Sequence, residues 1–96
     1  MEVKVQIINI LLIDNNKADL DELYYILRSP GNNIFRAQNK TEALNYLTEK
    51  DISMVLCAVD IEDINFYDLI DSVSEEINTS GMFFIATANN GEHVYN

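Results

Sequence analysis

Basic residues are scarce in this chain, and its second half has none. Lys4, Lys17, Arg28, Arg36, Lys40 and Lys50 are the 6 bases, set against 16 acids, and the net charge is −10. Phosphate contacts need Lys and Arg, so direct nucleic-acid binding is excluded. Cysteine is equally scarce. Cys57 stands alone, which rules out an intramolecular disulfide framework and fits a reducing compartment. Set inside an apolar run, it reads as a small buried hydrophobe. Long hydrophobic runs are missing too: residues 7–13 are interrupted by Asn9 and end at Asp14. That segment is too short to span a membrane, and no cleavage-site pattern accompanies it, so a cytoplasmic protein without a membrane segment is expected. No glycine-rich loop follows any apolar run, which leaves dinucleotide-binding and Walker-type readings without their motif. His93, the only histidine, has no ligand or catalytic partner near it in the sequence.

What is present is one core. A chain of 96 residues with 48% hydrophobic content makes a single small domain covering 1–96. Its organising stretch is residues 54–60, an apolar run through Met54, Val55, Leu56, Cys57, Ala58 and Val59 that stops at Asp60. A run with no polar alternation predicts a strand buried on both faces, as at the centre of a parallel sheet.

The rest falls into place around that strand. Residues 1–7 form a half-exposed strand or an extension, because apolar and polar residues alternate, and residues 8–13 form a buried strand. Asp14, Asn15 and Asn16 favour a turn and a helix cap. Leu20, Leu23, Tyr24 and Leu27 recur at helical spacing, predicting a first helix over 17–28, with Tyr24 and Tyr25 as core or rim residues. Ser29, Pro30, Gly31, Asn32 and Asn33 break the chain. A short strand over 34–38 precedes a capping-box pattern from Asn39 to Glu42, which opens a helix with Ala43, Leu44 and Leu47 inward and Tyr46 at core or rim. Beyond the organising strand, Asp60, Glu62 and Asp63 read as a solvated acidic loop. Phe66, Leu69, Ile70, Val73 and Ile77 mark a third helix, residues 82–88 a fourth strand, and 89–96 a polar tail.

The order is therefore βαβαβαβ. Right-handed crossovers then give an α/β, flavodoxin-like, doubly wound parallel sheet. Ligands and chemistry collect at the carboxyl ends of such strands. Here those ends are Asp14 and Asn15, Ala58 to Asp60, and Thr87 with Ala88.

In this order and spacing the chain resembles the receiver domain of two-component response regulators. Ile10 to Asn15 is similar to the first-strand motif that ends in two acids. Ala43 with Leu44, Met54 to Cys57, and Asp68 to Ile70 match without gaps, and Ile85 to Ala88 is similar to the fourth strand with its switch threonine. The resemblance covers about residues 8–90 and implies a phosphorelay signalling role. A working receiver takes a phosphoryl group from a histidine kinase onto a carboxylate, with acids holding Mg²⁺, a hydroxyl, and a lysine on the phosphoryl oxygens.

The resemblance assigns those roles unevenly. Asp14 matches one metal-binding acid, and Asn15 stands where the second is expected. Thr87 matches the switch hydroxyl. The ungapped placement puts Ala58 at the acceptor position, and a methyl group cannot become an acyl phosphate. The competing placement makes Asp60 the acceptor, since it directly ends the apolar run, at the cost of an insertion before the strand and a deletion after it. In the ungapped placement Asp60 would instead offer its main-chain carbonyl to the metal. Glu62 and Phe66 replace the family's loop proline and helix glycine, implying that the loop around an acceptor is no longer held. A calcium loop is excluded because Ile64 and Asn65 do not supply the required ligand and glycine.

The family's fifth-strand lysine has no counterpart, and the sequence stops before the fourth helix, fifth strand and fifth helix. The expectation is a truncated, degenerate pseudo-receiver with no enzymatic activity and no cofactor, working through protein–protein contact with a histidine kinase or another signalling protein. The alternative is a receiver phosphorylated on Asp60 with Mg²⁺. Without the last helix, apolar surface over the first and third strands would face water. A patch of roughly 400 Å² is worth on the order of 10 kcal/mol, comparable to the roughly 5–15 kcal/mol stability of a whole domain. The face should therefore be covered by further chain, by a partner or second copy, or by residues 2–7.

Overall fold

The asparagines placed just before each apolar-periodic stretch set the helix starts. In the computed structural model, which describes residues 7–59, 61, 63–74 and 81–87, the elements run β1 (Ile8–Ile13), α1 (Lys17–Leu27), β2 (Asn32–Ala37), α2 (Lys40–Glu49), β3 (Met54–Ala58), α3 (Phe66–Ser72) and β4 (Phe83–Thr87). Asn16 caps α1 by accepting from Asp19 N, Asn39 caps α2 from Glu42 N, and Asn65 caps α3 from Tyr67 N and Asp68 N. The capping box is reciprocal but displaced by one residue: Glu42 Oε1 accepts from Gln38 N at 2.7 Å, the residue before the cap. The expected extension over 1–7, except Ile7, and the polar tail with His93 lie outside the described residues, as do Asp60, Glu62 and Ile77.

The four strands form one parallel sheet in the order β2-β1-β3-β4, the α/β arrangement expected. Alternation along the strands sends two sets of side chains to opposite faces. Leu11, Ile13, Val55 and Cys57 enter one core with Ala43, Ile52, Leu69 and Val73, beneath α2 and α3. Ile10 and Leu12 enter the other with Leu20, Leu23 and Leu27 of α1. Tyr46 stacks obliquely on Phe35 with ring centroids 5.2 Å apart, while Tyr25 is exposed beneath the Arg28 guanidinium.

Three expectations need correction. β2 starts at Asn32, two residues early, because β1 pairs with it from Ile8 onward. β3 stops at Ala58 rather than Asp60, and Val59 turns outward, 48% exposed. The strand is not buried on both faces either, since Met54 and Leu56 are only half-buried.

The bare apolar face is also placed differently. It was expected over the first and third strands, but Ile10 and Leu12 of β1 are buried by α1. The opening lies over β3 and β4, where Phe83 is 67% exposed and Ile85 44% exposed. The cause is geometric: α1 packs chiefly over β1 and β2, and Met54 and Leu56 of β3 are only partly covered at the edge of that core.

Candidate functional site

Because every strand runs the same way, their carboxyl ends share one edge. Ile13 is paired with Ala37 on one side and Cys57 on the other, and Ala58 is paired with Thr87. Asp14, Ala58 and Thr87 thus end adjacent strands at that edge. Asp14 is 3% exposed. Its N–H donates to Ala37 O at 3.0 Å, and its Oδ1 accepts from Asn16 N at 3.0 Å. The carboxylate that closes β1 therefore also tethers the start of α1. Asn15 is exposed and Thr87 half-buried. Val59 N donates to Thr87 O at 3.2 Å, carrying the β3–β4 pairing one step past the strand end.

The chemistry of this edge is limited by what stands on β3. Ala58 is 1% exposed and presents a methyl group with no lone pair or ionisable proton. Cys57, next to it, is fully buried. Desolvation, and secondarily the negative charge of Asp14, push its thiol from the ordinary 9.0 up to about 11, so it stays protonated and unreactive at neutral pH. Mg²⁺ requires near-octahedral oxygen ligation, commonly from one or two carboxylates and waters. Among the described residues no three carboxylate, imidazole or thiol groups converge. Among the described residues assigned to the site, Asp14 supplies the one carboxylate, and Asn15 and Thr87 are neutral. Asp60, the other acid assigned to the site, lies outside the described residues.

The loop after β3 is better held than the loss of the family's glycine at Phe66 implied. Ile61 and Ile64 are buried in the core, and Ile64 N donates to Ile61 O at 3.2 Å. Asp63, read from the sequence as a solvated acid, accepts from Lys40 N at 3.1 Å and ties the loop to the first turn of α2. Apolar anchors and one carboxylate thus do what a stiff loop residue would do elsewhere. An open groove of about 600 Å³ lies between the two elements, with Lys40, Leu44, Asp63 and Asp68 on its walls. The sequence signals for this anchoring were present but unread. Ile61 and Ile64 have a helix-like spacing inside an acidic stretch, and Asn65 lies three residues before Asp68, as a cap does before its acceptor turn.

No family model matches the sequence, and no curated protein matches it. Solved structures do match the fold. The chain is similar to the signal receiver domain of an HD domain-containing protein from Pseudomonas fluorescens Pf-5, with TM-score 0.77 and 17% identity, over 96% of this chain and 66% of that one. It is also similar to the chemotaxis response regulator CheY4 of Vibrio cholerae, with TM-score 0.76 and 11% identity, over 91% of this chain and 72% of that one. The chain thus has the receiver fold and spans about two thirds of the length of the first of these structures. No helix among the described residues is long and apolar enough to cross a membrane.

Proposed function

We propose that this chain is a response-regulator-type signalling module that works as a pseudo-receiver: it accepts no phosphoryl group, has no enzymatic activity of its own, and acts through protein–protein contact in a two-component pathway. The supporting observation is the methyl group of Ala58, buried at the end of β3 in register with Thr87 and beside the end of β1 at Asp14. In a receiver fold this is where an acceptor carboxylate belongs, and phosphoryl transfer depends on that nucleophile and on charge neutralisation around it. Thr87 then serves as an ordinary strand-end residue instead of a switch. The contact partner is a histidine kinase, another signalling protein or a second copy of the chain, and the uncovered face of β3 and β4 is the surface offered to it.

The test is intact-mass measurement after incubation with a small acyl phosphate and Mg²⁺. The expected result is an unchanged mass. A stoichiometric gain of one phosphoryl group that disappears in Asp60→Ala would instead establish the phosphorylatable reading.

A further inference from the structure

Nearly every described base in this acidic chain is engaged by a neighbour. Lys17 and Arg36 both pair with Asp21, at 3.2 and 3.0 Å. Arg28 lies over the Tyr25 ring and Lys50 over the Phe35 ring, 4.9 and 5.5 Å from their centroids. Lys40 is the exception. Its main-chain N–H donates to Asp63 Oδ2 at 3.1 Å, but among the described residues its ammonium pairs with no carboxylate. Two carboxylates, those of Asp63 and Asp68, nevertheless line the same groove of about 600 Å³ as Lys40. Opposite charges that border one cleft without closing on each other leave ion-pair positions open to a ligand.

The groove is built by α2, the loop after β3 and α3. Half-buried Leu44, with Ile64 and Leu69 at 6% and 4% exposure, gives it an apolar lining. Ile64 and Leu69 belong to the core and Leu44 packs against it, so that lining is fixed by the fold. Both acids are anchored as well: Asp63 by Lys40 N, and Asp68 by its own N–H on the Asn65 cap. Small-molecule sites commonly enclose roughly 300–1,000 Å³, with an apolar lining and a few placed charges. A purely cationic ligand would leave the Lys40 ammonium unpaired. A purely anionic one would face two carboxylates in a chain of net charge −10. The charge pattern therefore selects a molecule that carries both signs.

We infer that this groove binds a small zwitterion with an apolar body, of the dipeptide class. Its ammonium lies on Asp63 and Asp68, its carboxylate on Lys40, and its side chains on Leu44, Ile64 and Leu69. Such a site is independent of Ala58 and of the face over β3 and β4.

The probe is leucyl-leucine, titrated into the full chain and followed by calorimetry without phosphodonor or Mg²⁺. Saturable binding is expected. N-acetyl-leucyl-leucine lacks the ammonium and leucyl-leucine amide lacks the carboxylate, so each should bind roughly tenfold more weakly or worse. Glycyl-glycine, without the apolar body, should not bind measurably. Lys40→Met should abolish the discrimination against the amide and keep that against the N-acetyl form. Asp68→Asn should narrow the discrimination against the N-acetyl form and keep that against the amide. Both positions are exposed, and circular dichroism checks that the variants fold. No saturable binding, equal binding of the capped dipeptides, or the wild-type selectivity retained in both variants overturns the inference. Failure here leaves the Ala58 reading standing, and phosphoryl uptake in the mass measurement would leave the dipeptide result standing.

Discussion

The two faces of the sheet are built from the same kind of residue and are covered unequally, although on β4 exposure reaches both, Ala86 being exposed on the side of α2 and α3. Leu11, Ile13, Val55 and Cys57 are sealed under α2 and α3. On the reverse side, Ile10 and Leu12 are sealed by α1, yet Phe83 and Ile85, as apolar as any of them, stand in solvent. Strand alternation therefore identifies which residues share a face, and the packing of the covering helices decides which of them are buried. A monomeric protein seldom leaves such a patch bare without using it. The sealed core beneath α2 and α3 carries stability, and the exposed residues of β4 contribute little to it.

The largest expected effect lies on the sealed face. Leu11→Ala should cost about 2–5 kcal/mol, because a fully buried side chain leaves a cavity that β2 and β3 on either side cannot fill. Urea unfolding at a fixed pH measures it, and a loss below about 1 kcal/mol would mean that this core is loosely packed.

Next comes Cys57, on the same face. Its folded-state pKa of about 11 lies above the ordinary 9.0. The buried thiol therefore costs nothing below pH 9, and stability falls as pH rises through about 11, by roughly 2–3 kcal/mol in all. Cys57→Ala, unfolded across the same pH range, should lack that part of the fall.

Removing the cap of the sealing helix should have a smaller effect. Asn39→Ala releases the N–H of Glu42, held at 2.9 Å, and should cost about 1 kcal/mol.

The smallest effect belongs to the open face. Phe83→Ala should change the stability of the isolated chain by less than about 0.5 kcal/mol, since little of its surface is withdrawn from water. A loss as large as that for Leu11→Ala would show that something in the chain covers β4 and would erase the distinction between the two faces.

Much of this architecture was legible in residue order. The apolar runs located β1, β3 and β4, the periodicity of Leu20, Leu23, Tyr24 and Leu27 located α1, and the Asn39 to Glu42 pattern located α2. Element ends were harder to read. Val59 is as apolar as Val55, and nothing in its chemistry announces that the strand stops one residue earlier. Among the described residues the last pair in that register is Ala58 with Thr87. The candidate site was legible as a set of positions, since Asp14, Ala58 and Thr87 each follow or end an apolar run. Their side-by-side placement depends on the register between strands that are distant in sequence.

The Asp63 contact with Lys40 N was invisible for the same reason.

By itself the sequence determined the alternation of strands and helices, the asparagine caps, the acidity and the methyl group at position 58, because each follows from local side-chain chemistry acting over a few residues. The tertiary structure alone decided where β3 ends, which carboxylates are tethered, and that β3 and β4 keep an apolar face open beside α1. Those outcomes depend on the lateral order of the strands and on how far one helix can cover them, and no local pattern of residues encodes that distance.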